Sequence, residues 1–161
     1  MVTRYNIDPS GGFNVHGMTK FYDIGNAVGI PVAPGDSANP PNERLDVLLV
    51  QYMLSRVYEG ETFKPTGPLY VDGIFGPLTH YWMLFFYTEL ESEVETSMFL
   101  ERGNFVPFAR NAITRFDNDL GNSLIGLLNV RMFRKVPNIF ATLTTSDPRM
   151  PHALKRALDK H

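Results

Sequence analysis

The chain has no cysteine. That excludes a disulfide framework, a thiol nucleophile and any zinc site built on thiolates. Histidine is scarce as well, with only His16, His80, His152 and His161. None of the four has the H-E-x-x-H or H-x-x-x-H spacing that sets two imidazoles on one helix face around a metal. There is no G-x-S-x-G elbow and no P-loop. No metal, no cofactor and no catalytic residue is therefore expected, and the chain does not read as an enzyme. Apolar runs nowhere approach the roughly 18 residues of a membrane span. The opening Met1-Val2-Thr3-Arg4-Tyr5-Asn6 has no apolar stretch behind it of the kind that makes a secretory signal. The expectation is synthesis in the cytoplasm, with any outside destination reached by a non-classical route or as part of a particle.

Charge is not lacking, but it is unevenly divided. Residues 1–101 carry five Lys/Arg against thirteen Asp/Glu, a net of -8, and residues 102–161 carry ten against four, a net of +6. Two such parts are expected to attract each other within one fold; a basic face for an anionic partner, or head-to-tail assembly, is the alternative. The pI near 6.1 argues against a dedicated nucleic-acid binder, even with Arg131, Arg134 and Lys135 clustered and Arg110 and Arg115 available for phosphate.

Apolar residues are plentiful, at 43% of the chain, with twelve Phe and seven Tyr. A chain of 161 residues can bury roughly 70% of its unfolded surface without covalent staples. Residues 1–42 are punctuated by Gly and Pro, which forbids a long helix. Phe21, Tyr22, Ile24 and Val28 are too apolar for a disordered tail. A turn-rich arm laid over a surface is expected, with room for a hairpin around residues 19–33.

Helical patterning begins near Asn42, a candidate N-cap, with Glu43 and Asp46 in the first turn. Leu45, Leu48, Leu49 and Tyr52 form one stripe, and Val47, Val50, Leu54 and Val57 a second. Two stripes predict a helix covered on two sides. After a Gly- and Pro-rich loop, Asp72-Gly73 signals a turn. A second helix is predicted from Gly76-Pro77 to about Glu95, with Pro at the tolerated first position. Its run from Tyr81 to Tyr87 predicts burial nearly all round. Phe105, Phe108, Ala109, Ala112, Ile113, Phe116 and Leu120 share helical spacing, and Leu124, Leu127, Leu128 and Met132 continue it after Gly121. Asp147-Pro148 reads as an N-cap followed by a first-turn proline, opening a last helix with Leu154, Ala157 and Leu158 inward. Glu89, Glu91, Glu93 and Glu95 read as a solvated helix face rather than as paired catalytic carboxylates.

One motif stands out from this background. Val47-Leu48-Leu49-Val50-Gln51-Tyr52-Met53-Leu54 precedes a loop, and then Asp72-Gly73-Ile74-Phe75-Gly76-Pro77-Leu78-Thr79 opens an aromatic helix. The turn is readable physically. Asp72 can accept an N–H two residues on, Gly73 and Gly76 permit positive φ, Phe75 is an apolar plug, and Thr79 can cap the turn.

The order also resembles the three-helix peptidoglycan-binding module carried by many cell-wall hydrolases, across about residues 44–88. That family reads V-x-x-L-Q-x-x-L in its first helix and D-G-x-F-G-x-x-T-x-x-A-V-x-x-F-Q at the turn. Here Val50 stands for the Leu, Trp82 and Met83 replace the Ala and Val, Phe86 keeps the Phe, and Tyr87 replaces the Gln.

The resemblance implies a mainly α fold: a small helical bundle with a peptidoglycan-binding-domain-like core at residues 43–100, a turn-rich arm at 1–42 and added helices at 101–161. It implies non-catalytic binding of peptidoglycan, with Gln51, Tyr70, Asp72, Phe75, Thr79, His80 and Tyr81 as candidate ligand-binding residues. Two alternatives stay open. One is a structural component, for example of a phage particle or injection machine, that reuses the fold for protein–protein contact or self-assembly through residues 1–42 and the C-terminal helices. The other is a small cell-wall hydrolase.

Overall fold

The computed structural model describes residues 1–7, 15, 17–30, 39–96, 112–113 and 124–160. Among these the protein is mainly helical with a little antiparallel sheet. The helices are α1 (Arg44–Val57), α2 (Pro77–Thr96), α3 (Leu124–Lys135), α4 (Leu143–Ser146) and α5 (His152–Leu158). Four short strands are β1 (Thr3–Asn6), β2 (Lys20–Asp23), β3 (Val28–Gly29) and β4 (Ala112–Ile113). No helix among the described residues is long and apolar enough to cross a membrane.

Helix α1 sits at the centre. Both of its predicted apolar stripes are buried, except for the partly buried Leu45, together with Asp46, Gln51 and Arg56. It packs on α2, α3, α5 and β3. Helix α3 supplies Ile125, Leu128 and Met132, and α5 supplies Leu154 and Leu158. The first thirty residues do more than cover this core. Val2, Ile7, Met18, Phe21, Tyr22, Ile24 and Val28 all belong to it.

Two expectations about regular structure are corrected. Among the described residues 19–30 of the expected hairpin, the strands pair elsewhere: β2 pairs antiparallel with β1, Arg4 opposite Tyr22, while β3 pairs with β4, Val28 opposite Ile113. Ala112 and Ile113 are thus strand where helical spacing was read. Ile113 is β-branched and buried, and a distant partner strand overrides local periodicity there. Phe105, Phe108, Ala109, Phe116 and Leu120, read on the same helix, lie outside the described residues.

Short strands leave unpaired edges, and side-chain amides fill them. On the edge of β2, the Asn129 carboxamide of α3 accepts the Tyr22 N–H at 2.9 Å and donates to the Tyr22 carbonyl at 2.8 Å. On β3, Asn42 does the same for Gly29, accepting its N–H and donating to its carbonyl, each at 2.9 Å. This is why Asn42 does not cap α1. The cap position is Glu43, with no side-chain bond, and Asn42 instead takes a φ of 50°, a conformation Asn tolerates better than most residues. Asp46 also reaches away from its own helix. Buried, it accepts the N–H groups of Gly25 at 2.8 Å and Asn26 at 2.9 Å.

The expected cap at Asp147 is corrected likewise. Helix α5 begins at His152, after Pro151. Asp147 is buried and takes the Tyr52 hydroxyl at 2.6 Å and the Arg56 Nε at 2.8 Å on one oxygen. Its other oxygen accepts the Arg149 N–H at 2.9 Å. Burial pushes this carboxyl up, but the Tyr52 hydroxyl, the Arg149 amide and the Arg56 guanidinium together hold it below its ordinary value.

The charge asymmetry acts across the fold. Glu59 pairs with Arg149, Glu61 with Lys135 and Glu89 with Arg131. Each pair joins the acidic first part of the chain to the basic second part.

Candidate functional site

The loop of residues 59–76 between α1 and α2 has almost no regular structure, and Gln51 organises its end. From inside α1, the Gln51 carbonyl oxygen accepts the Asp72 N–H at 3.1 Å and the Gly73 N–H at 2.8 Å. Its amide nitrogen donates to Thr79 Oγ1 at 2.9 Å, the Ile74 carbonyl at 3.0 Å and Asp72 Oδ1 at 3.2 Å. Asp72 completes an Asx turn by accepting the Ile74 N–H at 2.9 Å. Gly73 has a φ of 76°, and a Cβ there would stand 2.9 Å from the Arg44 carbonyl oxygen. Gly76 does not share this need, since its φ is not positive.

This geometry divides the seven candidate residues. Gln51 and Thr79 are buried, with their polar atoms spent on the turn. Phe75 is partly buried against the core. His80 is half-buried on the flank of α2, while Asp72, Tyr70 and Tyr81 are exposed. The turn is thus a buttress, and the side chains free to meet a ligand lie around it.

Four further residues belong with them and were not singled out from sequence: Phe63, Ile74, Leu78 and Leu84. Among the described residues, the exposed large apolar side chains are Met1 and then Phe63, Tyr70, Ile74, Leu78, Tyr81 and Leu84. All but Met1 fall on the loop or on the first half of α2. Phe63 is 70% exposed, Ile74 68% and Tyr70 63%. The expectation that α2 is buried all round is therefore corrected. Trp82, Met83, Phe86, Tyr87 and Leu90 face the core, and Leu78, Tyr81, Leu84 and Thr88 face outward. A spacing of three from Leu78 to Tyr81 and again to Leu84 was the available signal, its second half hidden inside a run apolar at every position.

The outer surface is tied together by rings. Phe63 packs tilted against Phe85, with ring centroids 5.1 Å apart, and Phe85 meets the edge of Tyr58 at 5.5 Å. The Tyr81 and Thr66 hydroxyls lie 3.3 Å apart. Behind this surface, the Trp82 indole N–H is buried with no partner among the described residues.

A cleft of about 560 Å³ adjoins this surface, lined by Val57, Tyr58, Glu61, Phe63, Glu89, Ser92, Arg131, Arg134 and Lys135. Its two carboxylates face cations. Arg131 lies 2.9 Å from Glu89, and Lys135 holds Glu61 below its ordinary value through a direct hydrogen bond. Glu89 is half-buried; the side chains of Glu91, Glu93 and Glu95 lie outside the described ones. No cluster of three or more His, Asp or Glu suited to a metal occurs among the described residues. Comparison with protein-family models, with curated proteins and with solved structures yields no match.

Proposed function

We propose that this protein is a non-catalytic binder of bacterial cell-wall peptidoglycan, and that the loop of residues 59–76 and the outer face of α2 make its binding surface. The motif Asp72-Gly73-Ile74-Phe75-Gly76-Pro77-Leu78-Thr79 resembles the turn of peptidoglycan-binding modules. The observation that carries the reading is the concentration of exposed rings and aliphatic side chains beside that turn. Tyr70, Tyr81 and Phe63 offer flat apolar faces on which sugar rings stack, and aromatic anchors are where binding energy concentrates. Asp72 and His80 supply polar groups at the edge. Gln51 acts from beneath, by holding the turn in shape.

The test is co-sedimentation with purified insoluble peptidoglycan sacculi, comparing the wild type with Tyr70→Ala plus Tyr81→Ala. Both side chains are exposed, so the variant is expected to fold. Saturable binding by the wild type and its loss in the variant support the reading. No binding at micromolar protein overturns it.

A second reading has an observation of its own. Ile74, Leu78 and Leu84 are aliphatic and exposed on the same loop and helix, and such side chains suit a protein partner better than a sugar. Failure to bind sacculi, together with capture of a second copy in sedimentation, is the outcome this assembly role expects.

A further inference from the structure

Among the described side chains, the cleft behind Phe63 has one cation more than the pairs formed there use. Arg131, Arg134 and Lys135 stand at i, i+3 and i+4 on α3, so all three face one side of that helix. Arg131 is engaged with Glu89, half-buried on both sides. Lys135 is engaged with Glu61, a pair whose carboxylate partner is largely in solvent. Arg134 lines the same cleft, is exposed and has no ion pair or side-chain hydrogen bond among the described residues. Among the described side chains, three cations stand against two carboxylates, and Arg134 is the cation with no ion pair among them.

From this we infer that the cleft between α2 and α3 is a second binding site, for a short peptide bearing a free carboxylate, with Arg134 as its anchor. A guanidinium holds a carboxylate through two parallel hydrogen bonds. One described cation without an ion pair suits a monoanion; a dianionic phosphate would meet Glu61 and Glu89 at close range. The solvent-facing Glu61–Lys135 pair is cheap to open, so Glu61 can receive a ligand ammonium, which suits a zwitterionic peptide. Tyr58 and Phe63 form an apolar wall for its body, and about 560 Å³ is within the usual range of a small-ligand site. Phe63 both lines the cleft and packs against Phe85 of α2, so the cleft opens onto the proposed glycan surface. On the wall-binding reading, on which this rests, the occupant is the peptide that hangs from the glycan strand, held while the strand lies across Tyr70 and Tyr81.

Calorimetric titration with four probes tests it: a soluble wall disaccharide–tetrapeptide, the same fragment with its carboxyl groups converted to amides, the tetrapeptide alone, and inorganic phosphate. The wild type is expected to bind the free-carboxyl fragment about tenfold or more tightly than the amide form. Arg134→Gln, at an exposed position, is expected to erase that difference and to weaken sacculus binding without abolishing it, since the contacts of Tyr70 and Tyr81 remain. Equal affinity for both fragments, a difference that survives in Arg134→Gln, or displacement of the fragment by millimolar phosphate overturns the inference. If the tetrapeptide alone binds with dependence on Arg134 while sacculi do not bind, the peptide site stands and the wall-binding reading falls. If sacculi bind and the amide form is as good, only the peptide site falls.

Discussion

The Gln51 carboxamide lies within hydrogen-bonding distance of the backbone of Asp72, Gly73 and Ile74 at once, the Gly73 N–H being nearest at 2.8 Å. One side chain of α1 thereby does for the turn what a neighbouring strand does for a β-edge. Gln51→Ala strands two backbone donors and the Thr79 hydroxyl at a largely buried site. A loss of about 2–4 kcal/mol is expected, read as a lower urea midpoint by the emission of Trp82, the single tryptophan. Gln51→Glu is expected to cost no less, because a carboxylate oxygen would replace the donor facing Asp72 and Ile74. A loss below about 1 kcal/mol in both variants would mean that the turn holds its own shape.

Glycines near the two ends of the loop of residues 59–76 give an internal comparison. Gly60 and Gly73 both have positive φ, of 72° and 76°. A Cβ on Gly60 meets nothing within 4 Å, whereas one on Gly73 meets the Arg44 backbone. Gly60→Ala is expected to cost about 1–2 kcal/mol, the conformational penalty alone. Gly73→Ala is expected to cost clearly more, since backbone must shift as well. Equal midpoints for the two variants in chemical denaturation would refute the clash.

Asn129 carries an analogous role for β2. Asn129→Leu leaves the Tyr22 N–H and carbonyl without partners in the core, and a cost of about 2–4 kcal/mol is expected. Hydrogen exchange checks the assignment at one site. The Tyr22 amide is expected to be among the slow exchangers in the wild type and to exchange with the fraying strand ends in the variant. Unchanged Tyr22 exchange in a folded Asn129→Leu protein contradicts it.

The Tyr52–Asp147–Arg56 cluster predicts acid sensitivity. Asp147 has its folded pKa below the unfolded value. Its contribution is therefore present above the unfolded pKa, roughly pH 4, and is lost as pH falls through the lower folded value. Asp147→Asn is expected to flatten the acid limb of the stability–pH curve and to lower stability at neutral pH. An acid limb that keeps its slope in Asp147→Asn places the titration elsewhere.

Tyr22 predicts the opposite limb. Burial pushes its hydroxyl up to about 12, so the folded state favours the protonated phenol. That contribution is full below about pH 10 and is lost as pH rises through the folded value. Tyr22→Phe also removes the hydrogen bond to the Phe140 carbonyl, 2.7 Å long. The variant is expected to be less stable at neutral pH yet to lose less between pH 10 and 12, measured by urea midpoints across that range. Parallel losses in the two proteins exclude Tyr22 as the group responsible.

Much of this was legible in the chain itself. Spacing of apolar residues located α1, α2 and α3 to within a few residues, because a helix buried on one face or two must repeat its apolar positions with the helical period. The turn at Asp72-Gly73 was equally plain, since an Asx turn and a positive φ are demands made by local backbone. What local chemistry did not decide is where polar side chains spend their hydrogen bonds. Asn42 and Asp147 both carry good N-cap chemistry, yet Asn42 pairs with Gly29 and Asp147 with Tyr52 and Arg56. In each case an unpaired edge or a buried charge from a distant segment made the stronger demand. Ile113 likewise became strand because Val28 lies opposite it. The site followed the same division. The sequence marked Gln51, Asp72 and Thr79 as belonging together, which is a matter of residue type and order. Only the tertiary structure decided that Gln51 and Thr79 face inward while Phe63, Tyr70 and Tyr81 face out, because burial depends on which face of α2 the core covers.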